Sequence, residues 1–242
     1  MAKATWRIAP QGDRCLMVEF GQKVDRETNL RARALAQYLD DHPLPGVLDV
    51  VPAFTSVAIH YRPEALVEPA GNGLPYDRLA ARVEKVLQAG VERQAPAQRR
   101  VEIPVCYGGE FGPDLEEVAR ARKVTPDELI TIHSQSPHVV YMLGFAPGFP
   151  YIAGLDERLA MPRRATPRIK IPLGTIAIAG GQSVVYTLET PGGWNLIGRT
   201  PLRVFTPETD PPCLLRAGDA VRFVPITLAQ YQAQHDAAPR RA

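Results

Sequence analysis

Three stretches in the C-terminal half of the sequence concentrate residues that could handle a small polar ligand. The first is Gly144-Phe145-Ala146-Pro147-Gly148-Phe149-Pro150. Proline fixes φ and glycine permits φ > 0, so such a run dictates a rigid, irregular path rather than a floppy one. A loop of this kind either lines a ligand site or closes a barrel with its two Phe rings plugging the core. In the second stretch, Arg158 to Leu188, there are five cations (Arg158, Arg163, Arg164, Arg168 and Lys170) and no Asp or Glu. That local excess suits a carboxylate, a phosphate or an acidic partner surface, and arginine adds bidentate geometry. The competing reading is a solvated face whose cations meet acids from elsewhere in the fold.

The third stretch runs from Thr190 to Thr200 as TPGGWNLIGRT. Gly193 through Thr200 nearly spells the phosphate-binding pattern GxxxxGK[ST], with Arg199 in the lysine place. A phosphate loop must lead into a helix, whereas Pro201 and the strand-like Leu202 to Phe205 follow here, so that reading is rejected. Trp194 with Asn195 reads instead as a pocket wall with one directional polar group, or Trp194 as a core ring. His133 and His138 flank the loop before the first stretch. Histidine is the usual proton carrier near neutral pH, but neither has a triad partner or metal-type spacing. Capping the carbonyls at a helix end is the favoured reading of His133, with catalysis as the alternative. The candidate substrate contacts are Phe145, Phe149, Arg163, Arg168, Gln182, Tyr186, Trp194, Asn195 and Arg199, and no metal site is expected.

The elements that must position these residues can be read from periodicity. The N-terminal part gives strands over Trp6 to Ala9 and Cys15 to Phe20, a helix over Arg26 to Asp41, strands over Val47 to Val51 and Val57 to Tyr61, and a helix over Tyr76 to Gln88. Two successive ββα units predict an α+β domain over 1–90. Residues 91–100 are polar and aperiodic, which predicts a linker. Beyond it come a strand over Val101 to Val105 and a short helix capped by Asp114. A second helix follows, in which Thr125, Pro126 and Glu128 complete a capping box, ending near His133. Short β-branched runs at Ile169 to Ile171, Thr175 to Ile178, Val184 to Leu188, Leu202 to Phe205 and Ala220 to Val224 then predict a β-barrel over 101–230. A frayed polar tail over 231–242 closes the chain.

Composition narrows the classes. With 242 residues, 45% hydrophobic and 22% charged, the chain can fill two cores and is not disordered. A net charge of +2 is too small for phosphate-driven nucleic-acid binding. Cys15, Cys106 and Cys213 are odd in number and widely spaced, which suggests reduced thiols and a cytoplasmic protein. The N-terminus has no apolar signal core, and no apolar run is long enough to span a membrane.

Several ordered motifs together are more specific than any one of them. VEIPVCYGGEFGPDL, YMLGFAPGFPYIAGL, MPRRATPR, TPGGWNLIGRTPL and LLRAGDAVRFVPI, with IAPQGDRCLMVEFG near the start, resemble the family of the B-type subunit of 5-oxoprolinase. The same family is known as allophanate hydrolase subunit 1 and as the sporulation-kinase inhibitor family, with carboxyltransferase subdomains C and D. The resemblance implies an N-terminal α+β domain followed by a cyclophilin-like β-barrel. It implies ATP-dependent opening of 5-oxo-L-proline to glutamate, with a C-type carboxyltransferase-like subunit and a third oxoprolinase subunit as partners. A small carboxylate substrate would suit the cationic stretch. The alternatives it implies are a regulatory protein that inhibits a sensor histidine kinase, and a subunit of a related urea or allophanate assembly. The sequence departs from the family's usual pattern at Leu173 and along Gln182 to Thr187.

Overall fold

The protein, seen in a computed structural model, is described over residues 6–67, 73–91 and 98–237. It divides into two compact units, Met1–Ala97 and Gln98–Ala242. The expected linker over 91–100 falls largely on residues 92–97, which lie outside the described residues.

In the first unit the order is β1 (Arg7–Pro10), β2 (Cys15–Glu19), α1 (Arg26–Asp41), β3 (Val47–Pro52), β4 (Ser56–Tyr61), a 3-10 turn (Pro63–Leu66) and α2 (Pro75–Gln88). Helix α1 starts where the Asp25 carboxylate accepts from the Thr28 amide at 2.9 Å, satisfying one of the amides that a helix start leaves unpaired. Leu35 and Leu39 recur at helical spacing and are buried. Helix α2 starts on Pro75, which loses no hydrogen bond at a first helical position. The strands pair antiparallel in the order β1-β2-β4-β3. Their inward residues Leu16, Val18, Val57 and Ile59 share one core with Leu35, Leu79 and Val83 of the helices. This is the expected pair of ββα units joined into one sheet.

The second unit holds β5 (Arg100–Tyr107), α3 (Leu115–Arg122), α4 (Pro126–Gln135), β6 (His138–Leu143) and β7 (Pro150–Ala153). After them come β8 (Arg168–Ile171), β9 (Thr175–Ala179), β10 (Gln182–Val185), β11 (Thr190–Gly192), β12 (Asn195–Arg199), β13 (Ala220–Pro225) and α5 (Leu228–Ala237). Among the described residues a closed barrel runs β10-β7-β6-β13-β5-β12-β9, and β8 with β11 forms a separate two-stranded ribbon. Strand side chains alternate between faces. Ile152, Ile176, Ile178, Val185, Ile197 and Phe223 turn into the barrel, where they join Leu115 of α3 and Leu129 of α4. Their neighbours Ala177, Ala179, Val184 and Leu196 turn outward and pack under Phe149, Tyr186 and Trp194.

Four local expectations are corrected. Leu202 to Phe205 forms no strand; Phe205 makes only an isolated bridge to Cys213, within a chain interrupted by Pro201, Pro207, Pro211 and Pro212 that cannot donate to a ladder. The strand expected over Val184 to Leu188 is instead Gln182–Val185, because Tyr186 turns away into a hydrogen bond with Gly174. The frayed tail is helical as far as Ala237, with Tyr231 stacked at 4.4 Å on Phe111, while 238–242 lie outside the described residues. Asp114 does not cap α3 with its side chain; its carboxylate is engaged elsewhere. Among the described residues no helix is long and apolar enough to cross a membrane.

Candidate functional site

The outward face of β7, β9, β10 and β12 carries the densest set of candidate residues. Its floor is made by small side chains, Ala177 and Ala179, which leave room for rings above them. Phe149 meets Tyr186 at 5.3 Å and 89°, and Tyr151 at 5.3 Å and 63°. Tyr151 in turn lies 6.3 Å from the Trp194 ring. Edge-to-face contacts of this kind fix ring orientation beyond simple burial.

The loop before β7 shows how the sequence builds this wall. Phe149 donates its amide to the Ala146 carbonyl at 3.0 Å and accepts from Gly144 at 3.0 Å, closing a tight turn. Gly148 has φ +66°, and a Cβ there would sit 2.9 Å from the Phe205 Cβ, so glycine is required twice over. Phe145 takes φ +72°, a left-handed conformation that is costly for an aromatic residue, and its ring stands 66% exposed at the rim. Phe149 is 2% exposed and packs in the outer cluster. Neither ring plugs the barrel interior.

The cationic stretch is largely neutralised. Arg158 pairs with Asp156 at 2.8 Å, Lys170 with Glu189 at 2.8 Å, and Arg164 with Glu117 at 2.9 Å. Arg168 donates to both oxygens of Asp114, at 2.7 and 2.9 Å, while Arg164 adds a third bond at 3.1 Å. The Asp114 carboxylate also accepts from the Leu196 amide at 2.8 Å, so one side chain, only 4% exposed, ties α3, β12, β8 and the loop after Met161 together. Arg163 differs: its guanidinium lies 5.4 Å from the Trp194 ring centroid, within cation–π range. Charge from outside the stretch thus meets most of its cations, as the solvated-face reading required.

The remaining candidates separate. Gln182 sits on β10, two residues from Val184 and therefore on the same face. Asn195 is 3% exposed and spends its amide on the carbonyls of Pro162 and Ile178, at 3.0 and 3.2 Å, which anchors the loop bearing Arg163. Arg199 lies apart, 4.9 Å from the Phe111 ring, in the cluster that includes Cys106 and Tyr231. Burial pushes the Tyr186 hydroxyl up to about 12, with Arg163 and Arg168 pulling the other way, so it is protonated at neutral pH and free to donate.

His133 lies inside the barrel, fully buried, 2.7 Å from the Tyr107 hydroxyl and 3.1 Å from Ser183 Oγ. Burial holds its pKa well below the usual histidine range, with His138 adding to the effect, and raises that of Tyr107. The assignment that uses both ring nitrogens has the Tyr107 O–H donating to Nδ1 and Nε2–H donating to Ser183. The ring that serves helix α4 is instead His138, whose Nε2 meets the His133 carbonyl at 2.9 Å. A sealed, neutral imidazole is out of reach of any ligand on the outer face. Sequence reasoning missed Asp114 and Tyr151; the first looks like an ordinary helix cap, and the second carries only the alternation of a short strand.

Known proteins share this architecture. A family model described as carboxyltransferase domain, subdomain C and D, matches residues 6–215. The B-type subunit of 5-oxoprolinase from Bacillus subtilis (strain 168) is 46% identical over 230 residues, covering 94% of this chain and 96% of the relative. That of Escherichia coli O157:H7 is 41% identical, covering 88% and 93%. Among solved structures, TTHA0988 is 38% identical with a TM-score of 0.74 over 88% of this chain, which spans only 40% of that longer chain. The urea amidolyase of K. lactis, at 19% identity and a TM-score of 0.69, shares the fold.

Proposed function

Since this chain belongs to the carboxyltransferase subdomain C and D family, we propose that it is the B-type subunit of a 5-oxoprolinase complex. In this reading the assembly opens the cyclic amide of 5-oxo-L-proline to L-glutamate with hydrolysis of ATP. The observation that carries it is 46% identity to a protein of that name, running through nearly the full length of both chains.

The geometry supports a share in the site rather than a whole one. The outer barrel face offers aromatic walls and hydrogen-bond donors suited to a small ring. Ser183 and His133, one nucleophile type and one base type, are bonded to each other but lie sealed inside the barrel. Gly193 to Thr200, the nearest approach to a phosphate loop, is occupied by strand β12 rather than a loop feeding a helix. The bond-breaking groups and the nucleotide site therefore belong to partner subunits, and this chain alone is inactive. Substrate lies against Phe145, Phe149, Gln182, Tyr186 and Trp194, at an interface completed by a C-type subunit. The test is co-expression with the partner subunits and an assay of ATP hydrolysis that depends on 5-oxo-L-proline. Activity from the full set, lost when this chain is omitted, is expected; no activity from the full set refutes the reading.

A further inference from the structure

Of the five cations between Arg158 and Leu188, four are held by Asp156, Asp114, Glu117 and Glu189. Arg163 is the exception: it has no acidic partner among the described residues, and its guanidinium rests against the Trp194 ring. A cation parked on an aromatic face keeps its N–H donors free for an incoming anion. The acids that serve this stretch are already engaged, Asp114 by Arg164 and Arg168, and Glu189 by Lys170.

A second polar group is left over on the same face. Tyr186 is 1% exposed as a whole; no hydrogen bond joins its hydroxyl to another group among the described residues, and the oxygen is not sealed from solvent. The hydroxyl borders Gly192, where any Cβ would strike it and would also come within 2.9 Å of Ile171 Cδ1. Glycine at that position thus keeps the ring seated with its oxygen against the ribbon. A donor that still meets solvent can exchange a water for a ligand oxygen. The Phe149 and Trp194 rings, both in contact with Tyr151, add apolar surface to the same cluster.

We propose that Arg163 and Tyr186 are the specificity-determining pair for the substrate's carboxylate and ring oxygen. Arg163 takes the anion from the rim and Tyr186 donates to a ligand oxygen, with the Trp194 ring flanking the ligand's apolar body. The ligand class is a small monoanion with an apolar cyclic body. Arg168, fixed by two bonds to Asp114, positions the ribbon and does not touch the ligand. This rests on the 5-oxoprolinase reading above.

The experiment is steady-state kinetics of the complete complex with 5-oxo-L-proline. Arg163→Met, which keeps the aliphatic stem over Trp194, is expected to raise KM by about 10- to 100-fold with kcat within about 3-fold, as for loss of a charge-assisted bond made in the ground state. Arg163→Lys restores the charge and recovers at least about 5-fold of that loss. Tyr186→Phe raises KM by about 5-fold, the effect of a neutral hydrogen bond. Lys170→Met, which removes only an exposed pair with Glu189, leaves both constants unchanged. A KM unaffected by Arg163→Met, a loss confined to kcat, or a lysine variant no better than methionine overturns the proposal. A wild-type complex inactive on 5-oxo-L-proline strikes the functional reading instead, before any variant is compared.

Discussion

Replacing Asp114 by alanine removes a side chain that holds three elements to α3, and the cost can be worked from its contacts. Its carboxylate, 4% exposed, accepts two bonds from Arg168, one from Arg164 and one from the Leu196 amide. Removing one partner of a fully buried ion pair costs about 3–5 kcal/mol. The two guanidiniums here remain 29% and 30% exposed, so solvent recovers part of that, leaving about 2–3 kcal/mol. The Leu196 amide, buried and stripped of its acceptor, adds about 1–2 kcal/mol. A total of about 3–5 kcal/mol lowers Tm by roughly 6–20 °C for a domain of this size. Differential scanning calorimetry of the variant reads it directly. Asp114→Asn, which keeps an acceptor but not the charge, falls between the two. Adding Arg168→Met to the alanine variant restores part of the loss, since one unpaired cation disappears with it. A shift of less than about 2 °C for Asp114→Ala would show that the ribbon and barrel hold together without this carboxylate.

Burial pushes the His138 pKa down to about 4, so the fold holds the neutral ring. Stability is therefore complete above the unfolded value near 6.5 and is lost as pH falls toward 4, by on the order of 3 kcal/mol; urea unfolding at pH 7 and pH 4.5 measures it, and equal values contradict the assignment. Phe145→Gly relieves the φ of +72° but gives up the edge contact with Phe149 at 5.2 Å and adds freedom to the unfolded chain, so chemical unfolding is expected to shift by less than about 1 kcal/mol. The same change weakens substrate binding if the ring lines the site, visible as a raised KM in the complex. Thr125→Ala removes the hydroxyl that accepts from the Glu128 amide at 3.2 Å, and should cost about 1 kcal/mol in urea unfolding.

What the sequence disclosed is sorted by the range of the forces involved. A helix start was legible where a cap acts over three or four residues, as the Thr125–Glu128 pair at the head of α4 does, but not where a distant partner competes: the Asp114 carboxylate is drawn to Arg164, Arg168 and the Leu196 amide. Helix α5 carried the same sign, for Thr227 and Gln230 bond reciprocally, but its polar surface hid the periodicity that makes such a sign noticeable. The strand expected at Leu202 to Phe205 failed for the opposite reason. Its apolar run is genuine, yet only Val204 reaches the barrel core, while Phe205 packs beside Gly148. In the site, the rigid loop from Gly144 to Pro150 and the aromatic residues were visible as composition. The identity of the unpaired cation was not, because it depends on Asp114 and Glu117 arriving from about fifty positions away. His133 illustrates the limit most clearly: the residue type announces proton transfer, and only the closed barrel shows the ring fully buried and bonded to Tyr107 and Ser183.

The alternation along the barrel wall separates two tasks that most proteins must solve with the same side chains. On β9, Ile176 and Ile178 belong to the interior, while Ala177 and Ala179 belong to the face beneath Phe149 and Trp194. The backbone between them acts as a partition one residue thick. Both faces of this wall are buried, Ala177 and Val184 as completely as Ile176 and Ile178, so each strand packs two cores at once. Enlarging Ala177 or Ala179 would therefore lift the Phe149, Tyr186 and Trp194 rings and cost stability, just as truncating Ile176 or Ile178 would leave a cavity inside. A change of shape on the outer face is in this way tied to the stability of the barrel that carries it.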